Sequence, residues 1–313
     1  MAKRCLPDKG SGFVDQKVAI IIVTYNRCTM LKKCLEALFK QTYSSFEIIL
    51  VDNNSNDGTA ELAAGLVRFD LRLHYFRRTF NSGGAGGYCY GIYQAEKLCC
   101  DYVWLIDDDA VCDAQALEYL MVAQSQLKNW GFLAGKVLWT DRSLCKMNIP
   151  LFIKGTSGQI YPQVRKATFV SLLIPWRVIQ RVGLPIKEFF IWGDDQEYTE
   201  RISSLFPCFY IVQSVVVHHT AQNTGSDIVH DSLGRIDRYY YKYRNEWYIS
   251  RRNGLLSCLY YLFRLIRDTW HIVLIAGDKK RRLRIMYQGF RQGLVFRPAI
   301  HYLSEKETES YVE

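Results

Sequence analysis

Three consecutive carboxylates, Asp107, Asp108 and Asp109, directly follow the apolar run Tyr102–Ile106. Adjacent carboxylates repel each other, and burying them without partners is costly. A divalent cation relieves that repulsion, because Mg²⁺ and Mn²⁺ take oxygen ligands and commonly share their coordination shell with phosphate oxygens. The alternative is a solvated acidic turn that caps the following helix. The position directly behind a buried strand favours the metal.

A second acidic group, Asp194, Asp195 and Glu197, opens a predicted helix just after Trp192. Carboxylates in a first helical turn are stabilised by the helix dipole, so capping alone could explain them. Two adjacent carboxylates beside an aromatic ring also suit general-base catalysis on a sugar hydroxyl, with the indole as a stacking platform. Both interpretations remain open from the residues alone.

Two further features could bind ligands. The glycine-rich segment Asn81–Gly87 leads into a helix, whose N-terminus favours anions, while glycines let backbone approach a ligand closely. The segment matches neither the dinucleotide fingerprint nor a P-loop, and a purely structural glycine turn is the alternative. His218 and His219 end the predicted strand Phe209–Val217 and could include a metal ligand.

Apolar runs alternating with helical periodicity predict an α/β fold with a mostly parallel central sheet. Ligands of such sheets bind beyond the carboxyl ends of the strands. Thr24, Asn26 and Arg27 follow the first predicted strand and Asp52 follows the second, so we expect them to converge with Asp107–Asp109. The predicted strands are Val18–Val23, Phe46–Val51, Leu73–Phe76, Tyr102–Ile106, Phe132–Leu138, Thr168–Ile174 and Phe209–Val217.

The charge is uneven along the 313 residues. The net formal charge is +9, yet residues 232–300 alone hold 15 Lys+Arg against 4 Asp+Glu, which indicates an anionic partner for this segment. Hydrophobic residues make up 49% of the chain, which excludes disorder for its bulk. The predicted domains are a polar tail (1–17), a catalytic domain (18–220, with a nucleotide-binding half 18–110 and an acceptor half 111–220) and a helical C-terminal segment (221–313).

The apolar stretch Leu255–Ile275 contains Arg264, Arg267 and Asp268, which are too many charges for a membrane-spanning helix. With the basic run Lys279–Arg282 it predicts an amphipathic helix on an anionic membrane surface; packing on the main domain is the alternative. The polar N-terminus lacks the pattern of a signal peptide, and no Cys-x-x-Cys pair occurs among ten cysteines. We therefore expect free thiols and a cytoplasmic protein, peripheral on the inner face of the membrane.

Taken in their order along the chain, the motifs described above resemble those of an inverting family 2 glycosyltransferase of the GT-A fold. The resemblance covers roughly Val18–Thr220. Asn81–Gly87 and the late acidic motif are most similar to those of bacterial galactofuranosyltransferases, with rhamnosyltransferases as neighbours. The pieces that carry the resemblance are IIVTYNR, VDNNSNDGT, NSGGAGGYCYG, LIDDDA, FFIWGDDQEY and VVVHH.

The resemblance implies a GT-A fold with a helical C-terminal extension, and a role for each matching residue. Asp195 is implied as the general base with Asp194 beside it, and Trp192 and Glu197 as acceptor contacts. The implied metal ligands, for Mn²⁺ or Mg²⁺, are Asp107, Asp109 and His219. The implied nucleotide-sugar ligands are Thr24, Asn26, Arg27, Asp52, Asn81, Gly84 and Asp108.

The expected function is metal-dependent transfer of a sugar, galactofuranose from UDP-galactofuranose, to a hydroxyl of a lipid-linked or cell-surface glycan. The alternative enzyme is a rhamnosyltransferase that uses dTDP-rhamnose. An alternative outside the enzymes is a non-catalytic nucleic-acid-binding protein, with which the Tyr- and Arg-rich stretch Tyr239–Arg252 is compatible. That hypothesis leaves the acidic clusters unexplained, so we expect no nucleic-acid partner; a homo-oligomer is left open.

Overall fold

The computed structural model describes residues 16–303, so most of the predicted tail (1–17) and the last ten residues lie outside the described part. The strands are β1 (Val18–Thr24), β2 (Phe46–Asp52), β3 (Leu73–Arg77), β4 (Tyr102–Asp107), β5 (Ala110–Cys112), β6 (Leu133–Trp139), β7 (Leu151–Phe152), β8 (Val164–Lys166), β9 (Leu172–Pro175) and β10 (Phe209–His218). The helices are α1 (Cys28–Leu38), α2 (Thr59–Val67), α3 (Gly83–Lys97), α4 (Ala116–Gln126), α5 (Trp176–Val182), α6 (Asp194–Ser203), α7 (Leu233–Ile236), α8 (Tyr239–Arg252), α9 (Leu255–Leu274) and α10 (Lys279–Val295).

Eight strands form one sheet in the order β3-β2-β1-β4-β9-β6-β10-β5. Strand β1 pairs in parallel with β2 and β4, β2 with β3, and β6 with β10. Strand β9 is antiparallel to β4 and β6, and β5 to β10. The α/β class with a mostly parallel sheet is therefore confirmed. The strand expected over 168–174 is shorter: a 3₁₀ turn, Phe169–Ser171, precedes β9.

The central strands are buried on both faces, as their continuous apolar runs predict. Alternate residues of β1 enter different clusters: Ile20 and Ile22 pack with Leu31 and Leu35 of α1, whereas Ile21 packs with residues of α3. This sandwich fixes the carboxyl ends of β1, β2 and β4 side by side. The nine described cysteines are all free thiols.

The glycines of α3 allow it to lie unusually close to β1. A Cβ atom on Gly87 would come within 2.3 Å of a Val23 methyl group, and one on Gly91 within 2.4 Å of Ile21. No real Cβ contact is that short, so any larger residue would push the helix off the strand. Gly84, by contrast, faces open space. The segment is thus structural at Gly87 and Gly91, and accessible at Gly84.

Helices α7 to α10 form a separate hydrophobic cluster, in which α8 packs against α9 and α10. Tyr239, Tyr243 and Tyr248 of α8 are buried, so these rings are unavailable for stacking on nucleic-acid bases. Within residues 16–303, no helix has both the length and the apolar character required to span a membrane.

Candidate active site

Asp108 and Asp109, which follow β4, are bound by residues at and just after the end of β1. The Thr24 hydroxyl donates to Asp108 over 2.7 Å, and Arg27 pairs with Asp109 and, at 3.5 Å, with Asp108. Burial raises the pKa of Asp108 to about 7, although Arg27 opposes that rise. The convergence of these strand ends that the sequence predicted is therefore present, and Arg27 remains half-exposed beside the carboxylates.

Asp107, Asp109 and His218 form a cluster whose potential ligand atoms lie within 4.8 Å of one another. The His218 Nε2 atom is 3.0 Å from Asp109 and 3.8 Å from Asp107. Burial pushes the pKa of Asp109 upward, but its contacts with His218 and Arg27 outweigh burial and hold that pKa below its usual value. Tyr88 of α3 donates to Asp107 over 2.6 Å and keeps that carboxylate in place.

The histidine of this cluster is His218, which corrects the assignment of His219 as the metal-ligating residue. Successive residues of a strand point to opposite faces, so only one of the two can face the aspartates. His219 instead lines a depression with Lys33 and Lys40. The Nδ1 atom of His218 lies 2.9 Å from the Oδ1 atom of Asn148, which orients Nε2 towards the carboxylates.

The predicted nucleoside residues after β1 and β2 shape one loop. Asp52 is fully buried, and its two oxygens accept hydrogen bonds from the Tyr75 hydroxyl and the Ser55 backbone N–H. Asn26 has a positive φ of 54° and accepts a bond from the Asn56 N–H. Both residues thus fix the loop after β2. Direct contact with a nucleoside stays a prediction for them.

The glycine-rich segment is tied to the same loop. Asn81 accepts a hydrogen bond from the Gly83 N–H over 2.8 Å, while Asn53 donates to the Gly83 carbonyl over 2.9 Å. Gly83 has a φ of 72°, a conformation that favours glycine. The open surface above Gly84 lies next to this turn. Asn81 and Gly84 therefore lie near the carboxyl end of β2, and their contact with a donor stays a prediction.

The acidic pair Asp194–Asp195 begins α6 directly after Gly193, which has a φ of 87°. Desolvation raises the pKa of Asp195 to about 6, opposed by a hydrogen bond from the Gln196 N–H. Desolvation and the neighbouring charge of Asp195 raise the pKa of Asp194 as well. The charge of Asp107 adds to both shifts, so Asp194 and Asp195 lie close enough to Asp107 to interact with it electrostatically.

The two residues predicted to contact an acceptor are engaged elsewhere. Glu197 is 3% exposed, pairs with Arg201 through both oxygens at 2.8 and 3.1 Å, and also contacts Arg252. Trp192 packs edge-on against Tyr239, with ring centroids 5.1 Å apart. Glu197 is therefore a buried ion-pair residue rather than an acceptor ligand, because both its oxygens already have partners.

Three features of the site were not predicted from the sequence: Tyr88, Asn148, and His218 as the histidine that faces the aspartates. Alternation along β10 could have separated His218 from His219 once the strand's end was known. Tyr88 and Asn148 carried no signal, because one lies within a glycine-rich helix and the other in an irregular stretch.

Residues 19–129 match the family described as Glycosyl transferase family 2. The galactofuranosyltransferase GlfT1 of Mycobacterium tuberculosis is 26% identical over 289 residues, which cover 85% of this chain and 92% of that protein.

Two solved structures show a similar fold. S. aureus TarS 1–349 in complex with UDP has a TM-score of 0.54 at 15% identity, covering 90% of this chain and 72% of that one. The mannosyltransferase PcManGT from Pyrobaculum calidifontis, in complex with GDP-Man and Mn²⁺, has a TM-score of 0.53 at 12% identity, covering 95% and 78%.

The burial of Glu197 leads to a prediction about stability. Glu197→Gln leaves the buried Arg201 without a counter-charge, so we expect the free energy of unfolding to fall by about 3 kcal/mol in urea denaturation. Glu200→Gln is the matched control, because Glu200 pairs with Lys166 nearer the surface and should cost no more than about 1 kcal/mol. Unchanged stability with weaker acceptor binding in Glu197→Gln would restore the acceptor role.

Proposed function

We propose that this glycosyltransferase, whose residues 19–129 form a family 2 domain, transfers galactofuranose from UDP-galactofuranose to a glycan hydroxyl. The observation that carries the proposal is the cluster of Asp107, Asp109 and His218 beyond β4, with the acidic pair Asp194–Asp195 close enough for the charge of Asp107 to raise the pKa of both members. One cluster suits a diphosphate-bound cation and the other a base. Similarity to GlfT1 along 92% of that protein's length supports the choice of sugar.

The donor set of Asp107, Asp109 and His218 fits a divalent cation such as Mn²⁺ or Mg²⁺. Carboxylate oxygens suit both ions, a buried imidazole is compatible with Mn²⁺, and the potential ligand atoms of the three groups lie within 4.8 Å of one another. When bound, the cation supplies charge neutralisation for the departing diphosphate. The Mn²⁺ in the PcManGT complex is consistent with this assignment.

The chain's own residues perform the remaining chemistry. Asp195 accepts the proton of the acceptor hydroxyl, and that oxygen attacks the anomeric carbon from the face opposite the diphosphate. The bond from the anomeric carbon to the diphosphate oxygen breaks in the same displacement, so the configuration inverts. Arg27, half-exposed beside the aspartates, is available to neutralise phosphate charge. A pKa of about 6 suits a base that must be ionised near neutral pH.

The outer surface of α9 supports a peripheral membrane position on an anionic leaflet. Two of its charged residues point inward: Arg264 pairs with Glu246 at 3.1 Å, and Asp268 accepts a hydrogen bond from Tyr243 over 2.9 Å. Arg267 and His271 are exposed. The exposed surface of α9 is therefore mainly apolar with a few polar groups, which suits the interfacial zone of a bilayer. The exposed residues of this α9 face are Leu255, Leu256, Leu259, Tyr260, Phe263, Ile266, Trp270, Val273 and Leu274.

Basic residues at the start of α10 adjoin this face, but they are not equivalent. Lys279, Lys280 and Arg284 are exposed, whereas Arg282 is buried and donates to the Asp231 carbonyl over 3.0 Å. Arg281 pairs with Asp237 at 2.9 Å. The lysines are therefore the residues free to meet anionic headgroups, and a lipid-linked acceptor would lie at the same surface.

The donor and the base are tested together by mass spectrometry of products. The protein is offered UDP-galactofuranose, UDP-galactopyranose, UDP-glucose or dTDP-rhamnose with Mn²⁺ and alkyl glycoside acceptors. It should form product from UDP-galactofuranose.

Asp195→Asn should lower kcat about 10²- to 10⁴-fold without changing UDP affinity, because only proton removal is lost. In the native protein, kcat should fall as pH drops below about 6, where Asp195 becomes protonated.

Asp70→Asn is the control for that variant, because Asp70 pairs with Arg72 just before the amino end of β3, at the opposite edge of the sheet. Its kcat should match that of the native protein. Full activity of Asp195→Asn would refute the assignment of Asp195 as the general base. If product formed from dTDP-rhamnose alone, the transferred sugar would be rhamnose rather than galactofuranose.

The two histidines give a matched test of the metal site. His218→Ala should weaken Mn²⁺ binding at least tenfold in calorimetric titration, because it removes one of three clustered ligands. His219→Ala should bind Mn²⁺ like the native protein, and EDTA should stop turnover. Equal effects of both variants, or turnover that persists in EDTA, would contradict the site.

Membrane contact is tested by cosedimentation with vesicles of phosphatidylcholine and phosphatidylglycerol. Phe263→Ser with Trp270→Ser, and separately Lys279→Glu with Lys280→Glu, should each weaken binding at least tenfold, the lysine pair losing roughly 1 kcal/mol per charge. Ile160→Ser is the control, since Ile160 is exposed but lies outside the α9 face. Native-like sedimentation of both double variants would refute the proposal. Dimerisation of the native protein lost in Phe263→Ser would assign the face to a second copy.

A further inference from the structure

The loop of residues 190–193, which leads into the acidic pair and is called here the acidic-pair loop, holds an unusual backbone conformation. Phe190 and Trp192 have φ values of 62° and 64°, in the left-handed region that bulky residues rarely adopt. Gly193 follows with a φ of 87°. Such a conformation persists only where surrounding groups over-determine it. The groups that hold this loop therefore also determine the positions of Asp194 and Asp195, which follow it directly.

A single side chain of α8 binds this loop from the C-terminal helices. Asn245 is fully buried, and its Nδ2 atom lies 2.9 Å from the Phe189 carbonyl, 3.2 Å from that of Ile191 and 2.8 Å from that of Trp192. An amide group has two hydrogens, so the three acceptors share them. These are backbone contacts to three of the four residues immediately before Gly193.

The neighbouring contacts fix the orientation of that amide. Arg244 donates through Nε to the Oδ1 atom of Asn245 over 3.0 Å, so the NH₂ group must face the loop. The guanidinium of Arg244 also donates to the Glu188 carbonyl. From the opposite side, the Ala85 N–H donates to the Phe190 carbonyl over 3.2 Å. The acidic-pair loop is thus held between α3 of the donor region and α8.

We propose that Asn245 is a positioning residue for catalysis, which holds the acidic-pair loop so that Asp195 can reach the acceptor hydroxyl. The inference rests on the proposed function, in which Asp195 is the base. It assigns the C-terminal helices a second task besides membrane contact: α8 completes the active site. Asn245 touches neither donor nor acceptor, and acts through the backbone of residues 189, 191 and 192.

Asn245→Ala and Asn245→Asp test this role. Without the amide donors, kcat with UDP-galactofuranose should fall at least tenfold, while calorimetric affinity for UDP with Mn²⁺ stays within twofold. The acid limb of kcat against pH should move below its native position, because a loosened loop admits water to Asp195. Asn245→Asp keeps the shape but directs an oxygen at three carbonyls, so it should be more impaired than Asn245→Ala.

Asn253→Ala is the matched control, because Asn253 lies at the exposed end of the same helix and bonds Glu200 at 3.2 Å. It should keep the native kcat and pH profile. If Asn245→Ala does not fold, Asn245→Ser, which retains one hydroxyl donor, must show the same separation of kcat from UDP affinity.

Three results would overturn the inference. Asn245→Ala could keep the native kcat and the native acid limb of kcat against pH, or it could lose UDP affinity in proportion to kcat. Asn245→Asp could also be more active than Asn245→Ala. These outcomes are separable from a failure of the proposed function. If Asp195→Asn is inactive while Asn245→Ala is native, only the positioning role is lost. If Asp195→Asn is fully active, the base assignment itself is lost.

Discussion

Repulsion among the adjacent carboxylates of Asp107–Asp109 is the constraint that organises the catalytic edge of the sheet. Each carboxylate can stay largely buried only because a different element supplies a partner: Thr24 from β1, Tyr88 from α3 and His218 from β10. Strand β1 pairs directly with β4, and β10 comes close to the aspartates because its His218 pairs with Ala110 of β5, the strand that follows them. The sheet topology thus supplies the partners that the carboxylates require. A chain that lost one of these partners would bury a carboxylate with less compensation.

The glycine-rich helix shows how packing serves that requirement. Gly87 and Gly91 let α3 lie against β1 at a distance that a Cβ atom would forbid, and this brings Tyr88 within 2.6 Å of Asp107. The same helix receives the acidic-pair loop at Gly83, where an added Cβ would come within 2.1 Å of the Phe190 carbonyl oxygen. Close packing thus accounts for Gly83, Gly87 and Gly91, whereas the space next to Gly84 is open.

The sequence predicted the features that depend on a local pattern. Long apolar runs identified β1, β2, β4 and β10, and residues at their ends identified Asp107–Asp109 and the acidic pair. It did not predict β5 or β7, which have three and two residues and therefore no readable period. Glu197 looked like its acidic neighbours, and only the fold shows that Arg201 and Arg252 enclose it. Asn245 was one polar residue in a Tyr- and Arg-rich stretch, and its role arises from contacts more than fifty residues away.

The distance in sequence between Asn245 and the acidic-pair loop has a consequence for synthesis. A ribosome releases the donor-binding strands first and α8 much later, since Asn245 follows Trp192 by 53 residues. Residue 301 also returns to the sheet domain, where the His301 carbonyl accepts a bond from the Leu184 N–H over 2.8 Å. A nascent chain can therefore bury its sheet before the acidic-pair loop is fixed. That loop reaches its final conformation only once α8 has been synthesised and has packed against it.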